Sequence, residues 1–295
     1  KVVLATAIAE TSLTIEDVRV VVDAGRARRA RFDPGSGMSR LVTERVSKAE
    51  AEQRRGRAGR VAEGTCYRMW TKGEEGALPA FAPPEIEVAD LAPLALELAL
   101  WGAGDGEGLA FLTPPNPGVL GEARALLEGL GALSGGLISE HGKALARLPL
   151  HPRLGHMLTV AGSGAADLAA LLSDRDPLPR GASCDLTLRV AAMRVPGRHN
   201  ANRGAVERIR SEAKRLARLA QPKAEFGPSE MAALAYPDRV ALRRKGTDPR
   251  YVLSGGKGAV MDEADSLAGT RLIVVTDTDG NPREARIRQA IAISE

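Results

Sequence analysis

The octet from Gln53 to Arg60 combines an amide, glycines and arginines at spacings that could bind a phosphate group. On a helix, Gln53, Arg57 and Arg60 would lie one above another on a single face, because they stand at positions i, i+4 and i+7. Guanidinium groups match phosphate oxygens with paired hydrogen bonds and stay charged. Gly56 and Gly59 would remove side-chain bulk, so that a partner could approach the backbone closely. The octet therefore predicts a phosphate-binding face on a helix.

The residues before the octet predict the elements that would position it. Ser47 is a candidate N-cap for the helix, and Glu50 follows at the capping-box spacing. The Val-rich runs Val2–Ala5 and Val18–Val22 are typical of strands buried on both faces of a parallel sheet. Arg31–Arg40 contains a Pro-Gly turn between two extendable segments, which predicts a β-hairpin. Together these patterns predict an α/β sheet.

The chain changes character after the prolines at 79, 83 and 84. Helical spacing of apolar residues recurs over 91–101, 123–130, 154–161, 168–172 and 207–219. Leu137–Ser139 and His141–Lys143 predict a short hairpin between these helices, while Arg180–Asn202 is basic and interrupted. From Tyr236 onward the pattern is that of strands, with a strong hairpin signal at Asp279–Asn281. A mainly helical region followed by a small β-rich region is therefore expected.

Positive charge is clustered along the chain, although the formal net charge is only +4. Twelve Lys and Arg lie against five Asp and Glu between Arg19 and Arg60, and eight against two between Arg194 and Arg218. Such clusters favour a polyanionic partner such as nucleic acid. A solvated basic face carries the same pattern, so Arg194, Arg198, Arg203 and Arg210 fit either interpretation.

Several classes of protein are not indicated by the composition. Cys66 and Cys184 are the two cysteines, and their separation predicts neither a disulfide framework nor a zinc site. The four histidines show no metal-ligand spacing, and no metal site is expected. There is no signal peptide and no apolar run of about 18 residues. A cytoplasmic protein that does not enter a membrane is therefore expected.

Two segments resemble motifs of one helicase group. The octet Gln53–Arg60 resembles motif VI of superfamily 2 helicases, in the form used by the DEAH/RHA group. Ala5–Ile15 resembles motif V of that group, and the two segments follow the family's order and spacing. Ala82–Ile86, Phe111–Pro115 and Leu148–Leu154 look like its winged-helix and ratchet-like regions. The resemblance covers essentially the whole chain.

The resemblance implies an α/β fold, namely part of a second RecA-like motor domain, followed by winged-helix, ratchet-like and β-rich regions. The boundaries that it implies are 1–82 for the motor half and 83–149 for the winged helix. Residues 150–222 would form the ratchet-like helical domain, and 223–295 the β-rich start of a C-terminal region. Val2 would then lie inside a sheet, so upstream sequence is expected.

The resemblance also implies roles for the site residues. Gln53 would position the attacking water, and Arg57 and Arg60 would be arginine fingers that stabilise charge during phosphoryl transfer. Contact with the nucleotide is implied for Thr14, Glu16 and Gly56. Contact with nucleic acid is implied for Thr6, Ser12, Arg31 and Arg40, the last two from the predicted hairpin.

The function that the resemblance implies is an ATP-dependent helicase that moves 3′ to 5′ and separates strands, with RNA favoured over DNA as partner. No GxxxxGK[ST] segment is present, so ATP and Mg²⁺ would be bound mainly by an upstream motor domain. The chain by itself is therefore expected to lack ATPase activity. Two alternatives stay open, a non-catalytic nucleic-acid-binding module with relic motifs and a translocase that remodels RNA–protein complexes.

Overall fold

The computed structural model describes residues 2–7, 10, 17–33, 38–222, 226–281 and 284–294, with only the backbone at 33 and 38–40. The chain divides into two compact units. One comprises Lys1–Phe32 and Ser39–Ala89, and the other comprises Asp33–Met38 and Asp90–Glu295. The fold is mixed α/β, because the first unit contains parallel strands and a helix while the second contains helices and a small β-barrel.

The elements of the chain up to Ala89 are short and few. They are the strands β1 (Val20–Asp23), β2 (Arg26–Asp33), β3 (Met38–Arg45) and β4 (Thr65–Arg68), the helices α1 (Lys48–Ala58) and α2 (Lys72–Gly76), and a 3-10 turn at Glu85–Glu87. Strands β1 and β4 pair in parallel, while β2 and β3 form a separate two-stranded sheet. The strand predicted at Val18–Val22 is confirmed as β1 and the predicted hairpin as β2 with β3, while 34–37 lie outside the described residues. The expected burial of that strand on both faces is wrong, because Val20 and Val22 are 58% and 65% exposed in a sheet of two described strands.

The helix that carries most of the octet begins where the capping box predicted. Ser47 accepts a hydrogen bond from the backbone N–H of Glu50, and the Glu50 carboxylate accepts one from the backbone N–H of Ser47 at 2.7 Å. This reciprocal pair satisfies two backbone donors that the first turn leaves without helical partners. Ala51 and Ala58 are the buried residues of α1. The expectation of a helix over 53–60 is partly wrong, because α1 ends at Ala58 and Gly59 is its C-cap.

The strand predicted at Val2–Ala5 is wrong. Residues 2–5 form no strand, and Val2 and Leu4 are 89% and 96% exposed. Within the described residues, the strands paired with each other in this part of the chain are β1 with β4 and β2 with β3. A Val-rich run needs a hydrogen-bonded neighbour to become a strand, and the described residues provide none for this segment.

Gly64 is required where the chain passes from α1 to β4. A Cβ atom at this position would lie 2.0 Å from the carbonyl oxygen of Ala58 and 2.7 Å from that of Arg19. Both obstacles are backbone atoms, so no side chain can move aside. We expect Gly64→Ala to lower the free energy of unfolding by about 1–3 kcal/mol, the usual cost of overpacking. Urea unfolding of the chain measures this effect.

The matched control is Gly76→Ala, because a Cβ atom there meets nothing within 4 Å. We expect its unfolding midpoint to stay at or above the wild-type value, because alanine favours helix over glycine. Equal unfolding midpoints for the two variants would contradict the assignment of close backbone approach at Gly64.

Helices dominate the chain from Ala92 to Ala235. They are α3 (Ala92–Leu100), α4 (Pro117–Gly129), α5 (Glu140–Ala146), α6 (Pro152–Ala161), α7 (Ala166–Ser173), α8 (Leu186–Arg194), α9 (Arg203–Ala217) and α10 (Pro228–Ala235), with 3-10 turns at Gly162–Ala165, Pro196–His199 and Pro237–Arg239. The five predicted helical stretches are confirmed. Helix α8 was not predicted, because its segment is basic and its apolar periodicity is weak.

The hairpin predicted from Leu137–Ser139 and His141–Lys143 is present, but the first of these segments pairs with an earlier strand instead. Its strands are β5 (Leu133–Ser134) and β6 (Leu137–Ile138), joined by two glycines with φ of 57° and 79°. Paired positive φ angles are what a tight hairpin turn requires. His141–Lys143, predicted as the second strand, lies in α5 instead. Ser139 explains the difference, because its side chain caps α5 at the Gly142 N–H.

One large hydrophobic core joins helices α6 to α10 of the second unit. Leu158 of α6 and Val206, Ile209 and Leu216 of α9 are fully buried within it. The apolar positions of α9 recur at three- and four-residue spacing, so one face packs inward and the basic face remains outside.

A half-buried ion pair connects α6 to the 3-10 turn at Pro237–Arg239, which precedes the β-rich end of the chain. Arg153 is 4% exposed and donates to both carboxylate oxygens of Asp238, at 2.5 and 2.9 Å. Its guanidinium also lies over the ring of Tyr236, 5.6 Å from the centroid. Burial would raise the pKa of Asp238, but Arg153 outweighs burial and the pKa is lowered. The pair keeps its charges because each has a partner.

The β-rich end of the chain is a closed five-stranded barrel. Its strands are β7 (Val240–Arg243), β8 (Arg250–Leu253), β9 (Gly258–Val260), β10 (Leu272–Thr278) and β11 (Ala285–Ala292). The strands follow the order β10-β11-β9-β8-β7, with β9 and β11 parallel and the other pairs antiparallel. This Greek-key order is typical of OB folds. The predicted β pattern from Tyr236 onward is confirmed.

No helix among the described residues is both long enough and apolar enough to cross a membrane.

Candidate phosphate-binding site

An open cavity of about 430 Å³ lies along α1 in the first unit. Gln53, Gly56 and Arg57 of α1 line it, together with Arg60 just beyond the helix and Glu10. The structure therefore brings the predicted amide and both predicted arginines to one place. Arg60 reaches the cavity after the chain leaves the helix at Gly59, so the shared face does not depend on continuous helix. An amide and two guanidiniums offer hydrogen-bond donors that suit a phosphate group.

Gly56 leaves the wall of this cavity open. A Cβ atom built at Gly56 would meet nothing within 4 Å, so the fold itself does not require glycine there. A glycine inside an exposed helix is unfavourable relative to alanine by about 1 kcal/mol. Packing within the structure therefore gives no reason for glycine at this position.

Arg57 is held against Glu10 in this structure. Its Nε donates to the backbone carbonyl oxygen of Glu10 at 3.0 Å, and a terminal nitrogen donates to the same oxygen. Glu10 lies within the segment that resembles motif V, and Arg57 within the segment that resembles motif VI. The two segments thus meet directly at the cavity.

Arg54 makes a second connection between these segments, and sequence reasoning missed it. Its Nε donates to the Glu10 carboxylate at 2.6 Å, and one terminal nitrogen donates to Asp23 at 2.9 Å and to the Arg26 carbonyl oxygen at 3.1 Å. The side chains of Arg54, Glu10 and Asp23 are 16%, 10% and 0% exposed. Burial would lower the pKa of Arg54, but the two carboxylates outweigh burial and the pKa is raised.

The N-terminus of α1 is tied to the hairpin through Glu50. Besides capping α1, the Glu50 carboxylate accepts hydrogen bonds from the guanidinium of Arg29 on β2. Arg29 also lies 3.7 Å from Glu44 on β3. Burial would raise the pKa of Glu50, but donors from Ser47 and Arg29 outweigh burial, and the pKa is lowered. One carboxylate therefore serves both the helix and the hairpin.

Arg31, expected to contact nucleic acid, forms a bidentate ion pair with Glu44 at 3.1 and 2.7 Å. This hydrogen bond is the main reason that the pKa of Arg31 is raised and that of Glu44 lowered. Thr6 is exposed and does not line the cavity. Ser12, Thr14, Glu16 and the side chain of Arg40 lie outside the described residues.

The residues around the cavity suit an anion rather than a metal ion. Among the residues that the structure describes, no group of three or more His, Cys, Asp or Glu could hold a metal. Magnesium prefers oxygen ligands, whereas the cavity presents mainly nitrogen donors. Any Mg²⁺ at the nucleotide would need ligands other than Gln53, Arg57 and Arg60.

Three of the four histidines have structural contacts in the second unit. His141 Nε2 and His156 Nδ1 are 2.8 Å apart, and burial lowers the pKa of both. His151 Nε2 lies 3.0 Å from the Asp90 carboxylate. These contacts hold α5 and α6 in place and supply no cluster of ligands.

The basic cluster near α9 divides into structural and exposed arginines. Arg210 donates to the Met193 carbonyl oxygen at 2.9 and 2.6 Å and to Glu207, so it closes the end of α8. Arg194, Arg198 and Arg203 are exposed. Arg210 thus has a structural role, while the other three still fit either interpretation.

Comparison with known proteins gives relatives along nearly the whole chain. The chain is 42% identical over 276 residues to the ATP-dependent RNA helicase HrpB of Escherichia coli, which covers 91% of the chain and 32% of that protein. It is 36% identical over 191 residues to E. coli HrpA, covering 61% of the chain and 15% of HrpA. No protein-family model matches.

Solved structures show the same relationship. A crystal structure of the E. coli DExH-box NTPase HrpB matches with a TM-score of 0.81 and 35% identity, covering 98% of this chain and 35% of that one. A second crystal structure, of the E. coli DEAH/RHA helicase HrpB, matches with a TM-score of 0.82. The chain belongs to the DEAH/RHA family of helicases. It spans about a third of the length of the HrpB protein that it resembles.

Proposed function

We propose that this chain is the part of a longer ATP-dependent RNA helicase that supplies the arginine side of the ATP site and part of the RNA path. The observation that supports it best is the shared cavity lined by Gln53, Gly56, Arg57 and Arg60. The names of the relatives support ATP and RNA as ligands. The remaining part of the ATP site would come from a first motor domain elsewhere in that protein.

The cavity residues have separate tasks in this proposal. Arg57 and Arg60 would bind the γ-phosphate oxygens and stabilise the charge that develops during phosphoryl transfer, an effect of about 10³–10⁵ in rate in other NTPases. Arg57 would keep its Nε hydrogen bond to the Glu10 carbonyl oxygen and turn a terminal nitrogen toward phosphate. Gln53 would orient the attacking water through its amide, and Gly56 would admit the phosphate to the helix backbone. Thr14 and Glu16 would contact the nucleotide.

Mg²⁺ bound with the nucleotide would neutralise phosphate charge, with ligands from the first motor domain. The arginines of this chain would add positive charge from the opposite side of the phosphates. Because guanidiniums cannot lose their protons at physiological pH, this contribution would not vary with pH.

RNA would contact the segments beside the cavity. Thr6 and Ser12 would bind backbone phosphates, and Arg40 and the hairpin would lie against the strand as bases separate. Arg31 would act through the shape of the hairpin, because Glu44 already engages its guanidinium. The barrel offers a further surface, since OB folds commonly bind oligonucleotides. Movement would run 3′ to 5′ along RNA in the cytoplasm.

The regional division of the chain follows the same proposal. Residues 1–82 would be the motor half, 83–149 the winged helix, 150–222 the ratchet-like domain and 223–295 the start of the C-terminal region. The first compact unit ends at Ala89, seven residues after the proposed end of the motor half at residue 82.

ATP turnover and duplex separation test the proposal. The isolated 295-residue chain is expected to show no ATP hydrolysis, whereas the full-length protein hydrolyses ATP and separates RNA duplexes. Arg57→Ala in the full-length protein should lower both activities by about 10³-fold or more. Turnover by the isolated chain that is lost on Arg57→Ala would contradict the proposal. A full-length protein that binds RNA without hydrolysing ATP would instead favour the non-catalytic binding module.

A further inference from the structure

Arg54 is the one arginine of the octet that bridges two carboxylates in the described residues, and it does not line the cavity. We propose that Arg54 is a positioning residue that holds Glu10 against α1 and thereby sets where Arg57 stands. This inference rests on the proposed function, because it assigns Arg54 a role in ATP hydrolysis through Arg57.

The first step concerns two groups of Glu10, its side-chain carboxylate and its backbone carbonyl oxygen. Arg54 binds the Glu10 side chain at 2.6 Å, and Arg57 binds the Glu10 backbone oxygen at 3.0 Å. The two arginines stand three residues apart on α1, so they project from the same side of the helix. A shift of Glu10 therefore changes the contact of both arginines at once.

The second step concerns what anchors Arg54. Asp23 ends β1 and is 3% exposed, and it also accepts the backbone N–H of Gly25 at 2.9 Å. The Arg26 carbonyl oxygen accepts from the same Arg54 nitrogen. Asp23 and Arg26 belong to the strands β1 and β2, so these two contacts anchor the Arg54 guanidinium to the strands. Its remaining contact is with the Glu10 carboxylate.

The third step concerns why arginine is needed. Its planar guanidinium donates in two directions at once, here toward Glu10 and toward Asp23. Lysine carries a point charge on a flexible stem and cannot reproduce a planar bridge. Arg54→Lys would keep the charge among the buried carboxylates, which limits the loss of stability. The same substitution would loosen Glu10, and Arg57 with it.

The test uses the full-length protein and steady-state ATP hydrolysis. Arg54→Lys is expected to lower kcat about 10-fold or more while KM for ATP changes less than about threefold, because a transition-state contact is misplaced. Arg68→Lys is the matched control, since Arg68 in the same unit also bridges two carboxylates, Glu52 and Glu75, and does not line the cavity. Its kcat should stay within about twofold of wild type.

A double-mutant cycle separates positioning from mere stabilisation. If Arg54 acts through Arg57, the double variant Arg54→Lys/Arg57→Ala will be no slower than Arg57→Ala alone. Unchanged kcat in Arg54→Lys, or effects that multiply in the double variant, would overturn the inference. If Arg54→Lys fails to fold, Glu10→Gln decides by the same criteria, because it weakens the same bridge. Normal ATP turnover in Arg57→Ala would instead contradict the proposed function, in which Arg57 binds the γ-phosphate.

Discussion

Replacing Arg60 with alanine in the full-length protein is expected to lower ATP turnover about 10³-fold or more, with little change in stability. Arg60 lines the cavity but lies beyond the end of α1 and is exposed, so alanine removes no part of the helix or core. The loss should appear in kcat and in kcat/KM together, because the contact would form in the transition state. Steady-state hydrolysis and a thermal unfolding curve measure the two quantities.

Arg55→Ala provides the matched control for Arg60. Arg55 belongs to the same octet, but its side chain is 60% exposed, pairs with Glu52 on the same helix and does not line the cavity. Its turnover should stay within about twofold of wild type, since an exposed pair of this kind contributes little. Comparable turnover in the two variants would remove Arg60 from the site.

A Gly56→Ala substitution is expected to move stability and activity in opposite directions. The added Cβ meets nothing within 4 Å, and alanine favours helix over glycine by about 1 kcal/mol, so the unfolding midpoint should rise. The methyl group would stand in the cavity wall, where the proposed phosphate must come close. We expect ATP turnover to fall by about tenfold or more, because catalysis depends on that close approach.

The control for Gly56 is Gly121→Ala in α4, where a Cβ atom also meets nothing within 4 Å. It should gain stability in the same way and keep wild-type turnover. If Gly56→Ala also keeps full ATP turnover, phosphate does not need close approach at Gly56, and the proposed role of this glycine is wrong.

The features that could be predicted from sequence are those determined by neighbouring residues. The capping box of Ser47 and Glu50 depends on two side chains three residues apart, and the structure contains it. Helical spacing accounts for Gln53 and Arg57 lying on one face, but Arg60 joins them from beyond the end of the helix. Local spacing places these side chains together, while their roles toward a nucleotide stay predictions.

The features that could not be predicted depend on residues far apart in the chain. Arg54 meets Glu10 across 44 positions, and no spacing rule identifies such a pair. The strand predicted at Val2–Ala5 failed for the same reason, since a strand needs a partner that local composition does not reveal. His141–Lys143 failed because the capping effect of Ser139 outweighed the β interpretation. The strand order of the barrel likewise follows from long-range pairing.

The shared carboxylate of Glu50 has a mechanical consequence. Glu50 bonds both the first turn of α1 and Arg29 in the middle of β2. We therefore expect a displacement of the hairpin to be accompanied by a displacement of the helix that carries Gln53 and Arg57.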